Sequence, residues 1–117
     1  MADNSSTASE VLVADQVWMD GRFVSWKEGT VHLMTHALHY GLGVFEGIRA
    51  YPTADGKLAI FRLKEHIRRF FESAHIVQLQ MQYSQDQICE ACIDLLRRQK
   101  DRFAKGAYLR PIAFMGD

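Results

Sequence analysis

His36-Ala-Leu-His-Tyr-Gly-Leu-Gly-Val-Phe-Glu-Gly-Ile-Arg-Ala-Tyr51 crowds rings, glycines and charges into one short segment. A polar approach carrying His36, His39 and Tyr40 leads through Gly41 and Gly43, residues that permit backbone paths others resist. The run from Val44 to Tyr51 then reads as a strand. It places Glu46 and Arg49 among Val44, Phe45, Ile48 and Tyr51, so charged groups share a segment whose apolar content calls for burial. Such a mixture of polar and apolar groups marks the segment as a site.

Working outward, Val17-Trp-Met and Arg22-Phe-Val-Ser-Trp26 flank Asp20-Gly21, the dipeptide that favours a tight hairpin. Val44–Tyr51 and Lys57–Arg62 flank Pro52-Thr-Ala-Asp-Gly56 and predict a second hairpin. Leu63, Ile67, Phe70, Ala74 and Val77 recur with helical period. Ser84-Gln-Asp-Gln87 has the form of a capping box, and Ile88, Ala91, Cys92, Leu95 and Leu96 supply the apolar face of a second helix, with Gly106 as its expected terminator. Ala107–Met115 reads as a further strand in which Pro111, lacking an amide donor, marks an edge or irregularity. Antiparallel strands with two helices define an α+β domain.

The chain has 117 residues, 48% hydrophobic and 24% charged, which suits one globular domain. Fourteen basic and fourteen acidic side chains cancel, so no global field favours nucleic acid or an anionic membrane. No apolar run approaches the ~20 residues of a membrane span. Residues 1–10 are small, polar and acidic, unlike a secretory leader, and residues 1–14 are expected to form a disordered tail ahead of a domain over 15–117. A cytoplasmic location is the matching expectation. Cys89 and Cys92 fall inside the second helical pattern with no other cysteine pair to complete a zinc site, and read as structural thiols. His32, His36 and His39 lack a matching carboxylate ligand, so no metal site is assigned; His36 and His39 are expected to brace the Tyr40 segment by hydrogen bonds.

The opening segment resembles the signature of the branched-chain amino acid aminotransferases, pyridoxal-phosphate enzymes of fold type IV. The resemblance continues in order through Val17-Trp-Met-Asp-Gly-Arg-Phe-Val24, Phe61-Arg-Leu-Lys-Glu-His-Ile-Arg-Arg-Phe70 with Ser73-Ala74, and Tyr108-Leu-Arg-Pro-Ile112, covering about residues 15 to 117. It implies the smaller N-terminal domain of such an enzyme, part of a homo-oligomer that exchanges amino groups between branched-chain amino acids and 2-oxoglutarate. None of Lys27, Lys57, Lys64, Lys100 or Lys105 matches the lysine that anchors the cofactor in that family, so no catalytic residue is assigned and this chain alone is expected to be inactive. Two other readings stay open: a D-amino acid aminotransferase or aminodeoxychorismate lyase relative, and a noncatalytic domain binding a small anion or a partner.

The same resemblance implies roles for five residues. Arg69 corresponds to the arginine that binds the pyridoxal 5'-phosphate phosphate, and a guanidinium fork suits phosphate oxygens. Its plain alternative is a surface ion pair with Glu65 or Glu72; neighbouring Arg68 reads as solvated. Tyr40 and Phe45 correspond to residues lining the pocket for an aliphatic side chain, Tyr40 reaching the site of a second subunit; the alternative is ordinary core aromatics. Tyr108 and Arg110 alternate with Leu109 and so emerge on one strand face, where the family uses such a pair to grip substrate carboxylates. The alternative for Arg110 is a structural role at a strand end.

Overall fold

The computed structural model describes residues 13–116, so most of the expected tail lies outside the described residues. Val13 is joined to the domain through its carbonyl, which accepts from Arg102 Nε. β1 (Gln16–Met19) and β2 (Arg22–Ser25) pair antiparallel with Met19 opposite Arg22. Asp20 and Gly21 between them have φ of 52° and 91°. Both therefore lie in the left-handed region, which is the demand that makes Asp-Gly the favoured two-residue turn. A 3-10 turn over Trp26–Glu28 follows.

The polar approach contains a regular element that its sequence pattern does not announce. α1 (His36–Tyr40) is one turn of helix closed by Gly41. It is fastened by tertiary backbone bonds, from Ala37 N–H to Met115 O at 3.1 Å and from Met115 N–H to Leu42 O at 3.3 Å. So short a helix has no stability of its own.

The expected strand Val44–Tyr51 is two strands. β3 (Gly43–Phe45) pairs with β7 (Ile112–Phe114), whereas β4 (Ile48–Pro52) lies between β5 (Leu58–Ile60) and β6 (Ala107–Leu109). The expected strand Ala107–Met115 is split in the same way. Phe45 faces Ile112 and Ile48 faces Leu109, so the antiparallel register continues across a gap at Glu46-Gly47 and Arg110-Pro111. Proline removes a donor from that rung, and Glu46 N–H reaches Pro111 O at 3.0 Å. The Pro52–Gly56 turn closes the β4–β5 hairpin as expected, with Thr53 N–H on Lys57 O at 2.8 Å.

α2 (Leu63–Ile76) buries Ile67, Phe70 and Ala74, the centre of the expected stripe. α3 (Gln85–Arg98) begins with the expected capping box: Gln87 N–H donates to Ser84 Oγ at 3.1 Å, and Ser84 N–H to Gln87 Oε1 at 2.8 Å. Gly106 is not its terminator. The helix stops at Arg98 because the buried Gln99 is drawn elsewhere, its Oε1 accepting from Asp15 N–H at 2.7 Å and its Nε2 donating to Gln16 O at 3.3 Å. Ile48, Leu109, Ile67, Ile88 and Cys92 form the core between the β4–β6 pair and the two long helices. The result is an α+β domain in which the antiparallel strands of the described residues fall into three small sheets.

Candidate functional site

The break in the β3/β4 and β6/β7 ribbon positions the charged groups. Phe45 and Glu46 are neighbours in the chain with opposite environments: Phe45 is about half exposed, whereas the Glu46 side chain is 4% exposed. Strand alternation sends successive side chains to opposite faces, and without a regular rung at 46 the carboxylate can lean to α2.

There it meets two residues one helical turn apart. Arg69 Nε donates to Glu46 Oε2 at 2.7 Å and Arg69 Nη2 to Oε1 at 2.8 Å, a bidentate pair. His66 Nδ1 lies 3.0 Å from the same Oε1. The Arg69 hydrogen bonds, more than the His66 contact, hold the Glu46 carboxyl below its ordinary value against the opposing effect of burial, and Glu46 in turn raises Arg69. The pair is lopsided. The Arg69 side chain is 66% exposed, with N–H donors to spare, and lines a shallow groove with Arg62, Glu65, His66, Arg68 and Glu72. Glu65 and Glu72, the alternative partners for Arg69, lie instead near Arg62 and Arg68 at 3.8 and 4.0 Å.

On the other face the structure brings together three of the five named residues. Arg110 Nη2 donates to Tyr108 Oη at 2.8 Å, and the Arg110 guanidinium sits 4.4 Å from the Phe45 ring centroid. Arg49 approaches the Tyr108 ring at 5.6 Å. An aromatic wall thus borders a tyrosine hydroxyl and a guanidinium, suited to a ligand with an apolar part and a carboxylate. Gly47 runs beneath this cluster: a Cβ there would fall 2.2 Å from Tyr108 Oη. The phenol occupies the space that a side chain at 47 would fill.

Tyr40 is held separately on α1, 75% exposed, with its ring 4.5 Å from that of His36. His39 braces the segment as expected, Nε2 lying 2.9 Å from Leu33 O. His36 does not brace it through Nδ1, which is buried without a hydrogen-bond partner; its contribution is ring packing on Tyr40. Cys92 is buried and its thiol is pushed up to about 12, chiefly by desolvation, as befits a structural cysteine.

Glu46, His66 and Gly47 received no role from the sequence, although a signal existed. A carboxylate inside an apolar β run needs a hydrogen-bonding partner, and His66 and Arg69 present an imidazole and a guanidinium on one helix face.

Residues 43–117 match the family model described as amino-transferase class IV. The chain belongs to the class IV aminotransferases. Class IV aminotransferases use pyridoxal 5'-phosphate. Among curated relatives, the branched-chain-amino-acid aminotransferase of Pseudomonas aeruginosa is 49% identical over 100 residues, covering 86% of this chain and 31% of the relative. That of Escherichia coli K12 is 43% identical over 104 residues, covering 89% and 32%. The crystal structure of the Escherichia coli branched-chain amino acid aminotransferase superposes with a TM-score of 0.83 at 42% identity, covering 90% of this chain and 34% of that one. The branched-chain aminotransferase of the archaeon Thermoproteus uzoniensis, solved with norvaline, gives the same TM-score at 36% identity over 90% and 34%. This class IV chain therefore spans about a third of the length of the relatives it matches. The donor set fits a phosphate-bearing cofactor: a guanidinium fixed on one side by a buried carboxylate and open on the other is a ready anion ligand.

Proposed function

We propose that this chain is the N-terminal domain of a branched-chain amino acid aminotransferase, in which Arg69 binds the cofactor phosphate and Phe45, Tyr108 and Arg110 receive the substrate. The observation that carries the reading is the cluster itself, where Arg110 is joined to the Tyr108 hydroxyl and stacked on Phe45. Such a site accepts an aliphatic side chain against the ring and a carboxylate on the guanidinium. That combination is what exchange between leucine, isoleucine or valine and 2-oxoglutarate requires of one pocket. When bound, pyridoxal 5'-phosphate supplies the electron sink for amino-group transfer. This chain's residues bind and orient.

Arg69 anchors the phosphate while Arg110 and Tyr108 orient the carboxylate and Phe45 shields the apolar part from water. Tyr40, exposed on α1, serves the pocket of a second subunit. Leu33, Met34 and Leu38 are exposed beside it, an apolar surface suited to burial in a homo-oligomer. No helix among the described residues is long and apolar enough to cross a membrane. A cytoplasmic location is part of the proposal. The test is amino transfer by the full-length enzyme from leucine, isoleucine and valine to 2-oxoglutarate, beside D-alanine. Activity with D-alanine and none with the branched-chain substrates would reject the assignment.

A further inference from the structure

We infer that Glu46 is a positioning residue for the phosphate site, holding Arg69 in its anion-binding geometry with His66 as a second brace. The inference rests on the reading of Arg69 as the phosphate ligand. Its support is geometric. Glu46 is almost wholly buried, receives both arms of the Arg69 fork at 2.7 and 2.8 Å, and lies 3.0 Å from His66 Nδ1. A long side chain that is two-thirds exposed would otherwise sample many rotamers, and fixing it before binding removes that ordering cost from the binding step.

The carboxylate's own position has a cause in the chain. The rung opposite Pro111 keeps one of its two bonds, from Glu46 N–H to Pro111 O at 3.0 Å, because proline has no donor to return, and strand alternation puts the side chain of residue 46 on the face of the buried Ile48. Glu46 therefore links the strand pair that carries Phe45 and Arg110 to the helix that carries Arg69. The carboxylate also opposes an incoming phosphate electrostatically. With the Glu46 side chain 4% exposed and the guanidinium between it and the groove, orientation outweighs that repulsion.

The experiment uses the full-length enzyme and measures dissociation constants for pyridoxal 5'-phosphate and for pyridoxal, which lacks the phosphate. Variants are Glu46→Gln, Arg69→Ala and the double substitution, with thermal melting as a folding control. Glu46→Gln is expected to weaken pyridoxal 5'-phosphate binding by on the order of 10- to 100-fold, by analogy with the loss seen when the group that orients a metal-ligating side chain is removed. Pyridoxal binding should be unchanged, and the double variant should bind no worse than Arg69→Ala alone. Tighter binding by Glu46→Gln, equal losses for both probes, or a full further loss in the Arg69→Ala background would each overturn the positioning role. If Arg69→Ala alone leaves pyridoxal 5'-phosphate affinity unchanged, it is the phosphate assignment that fails. Should Glu46→Gln fold poorly, Glu46→Asp retains the charge with a shorter reach, and the same phosphate-specific loss is expected from the misplaced fork.

Discussion

Substituting Gly47 by alanine tests whether the Tyr108–Arg110 pair depends on the glycine beneath it. The new Cβ would lie 2.2 Å from Tyr108 Oη and 2.9 Å from Cζ, so the hydroxyl must retreat about 1.2 Å to reach ordinary contact at 3.4 Å. The obstacle is the far end of a side chain that is half exposed, and a χ1 swing of roughly 10–15° is enough; even a ~30° departure costs only about 0.5–1.5 kcal/mol. Loss of the exposed Arg110–Tyr108 hydrogen bond adds about 1 kcal/mol or less. Alanine also restricts the unfolded chain, which returns about 0.4–1 kcal/mol. These terms nearly cancel. Denaturant unfolding should therefore change by no more than about 1 kcal/mol, while the hydroxyl is displaced from Arg110. In the full-length enzyme kcat/KM for glutamate should fall more than that for leucine, and the Gly47→Ala effect should shrink in a Tyr108→Phe background. An undiminished effect with Phe at 108 would refute the route through the hydroxyl. A loss of stability above about 3 kcal/mol would refute the premise that the ring can swing.

Arg110→Met keeps length while removing charge, and glutamate should lose roughly 1.5–3 kcal/mol in kcat/KM, about 10- to 150-fold, with a smaller loss for leucine; equal losses would assign Arg110 to a shared or structural role. Ser84→Ala removes one arm of the α3 capping box and should cost about 1 kcal/mol in denaturant unfolding, whereas no change would mean that the box is redundant with the helix's packing. Glu46 has a folded-state pKa below its ordinary 4.5, so its stabilising contribution is present above that value and is lost as pH falls through the depressed folded value. Glu46→Gln should therefore flatten the acid limb of an unfolding-versus-pH curve, and an unchanged slope would sever the link to the Arg69 pair. Cys92, with its thiol pushed up to about 12, should resist alkylation near about pH 8 until denaturant is added; prompt labelling in the folded protein would contradict its burial.

Local chemistry made much of this domain legible from the chain. Asp20-Gly21 specifies its hairpin because both residues accept a left-handed backbone, and Ser84 with Gln87 specifies the start of α3 because the two side chains satisfy donors three residues apart. The Ile67, Phe70 and Ala74 stripe identifies the buried face of α2 for the same reason: period alone decides which side meets the core. The alternation of Tyr108 and Arg110 also placed both groups on one face, where they are now hydrogen-bonded. Other features depend on partners distant in sequence. α1 is held by the backbone of Leu42 and Met115, α3 ends where Gln99 turns to Asp15 and Gln16, and the break between β3 and β4 reflects a proline in the opposing strand. The pairing of Glu46 with Arg69 and His66 belongs to the same class: twenty or more residues separate the carboxylate from its partners. Sequence supplied the charges, but only packing α2 against the interrupted ribbon decided which carboxylate is buried and which arginine it holds, because burial and hydrogen-bond geometry are properties of the assembled surfaces.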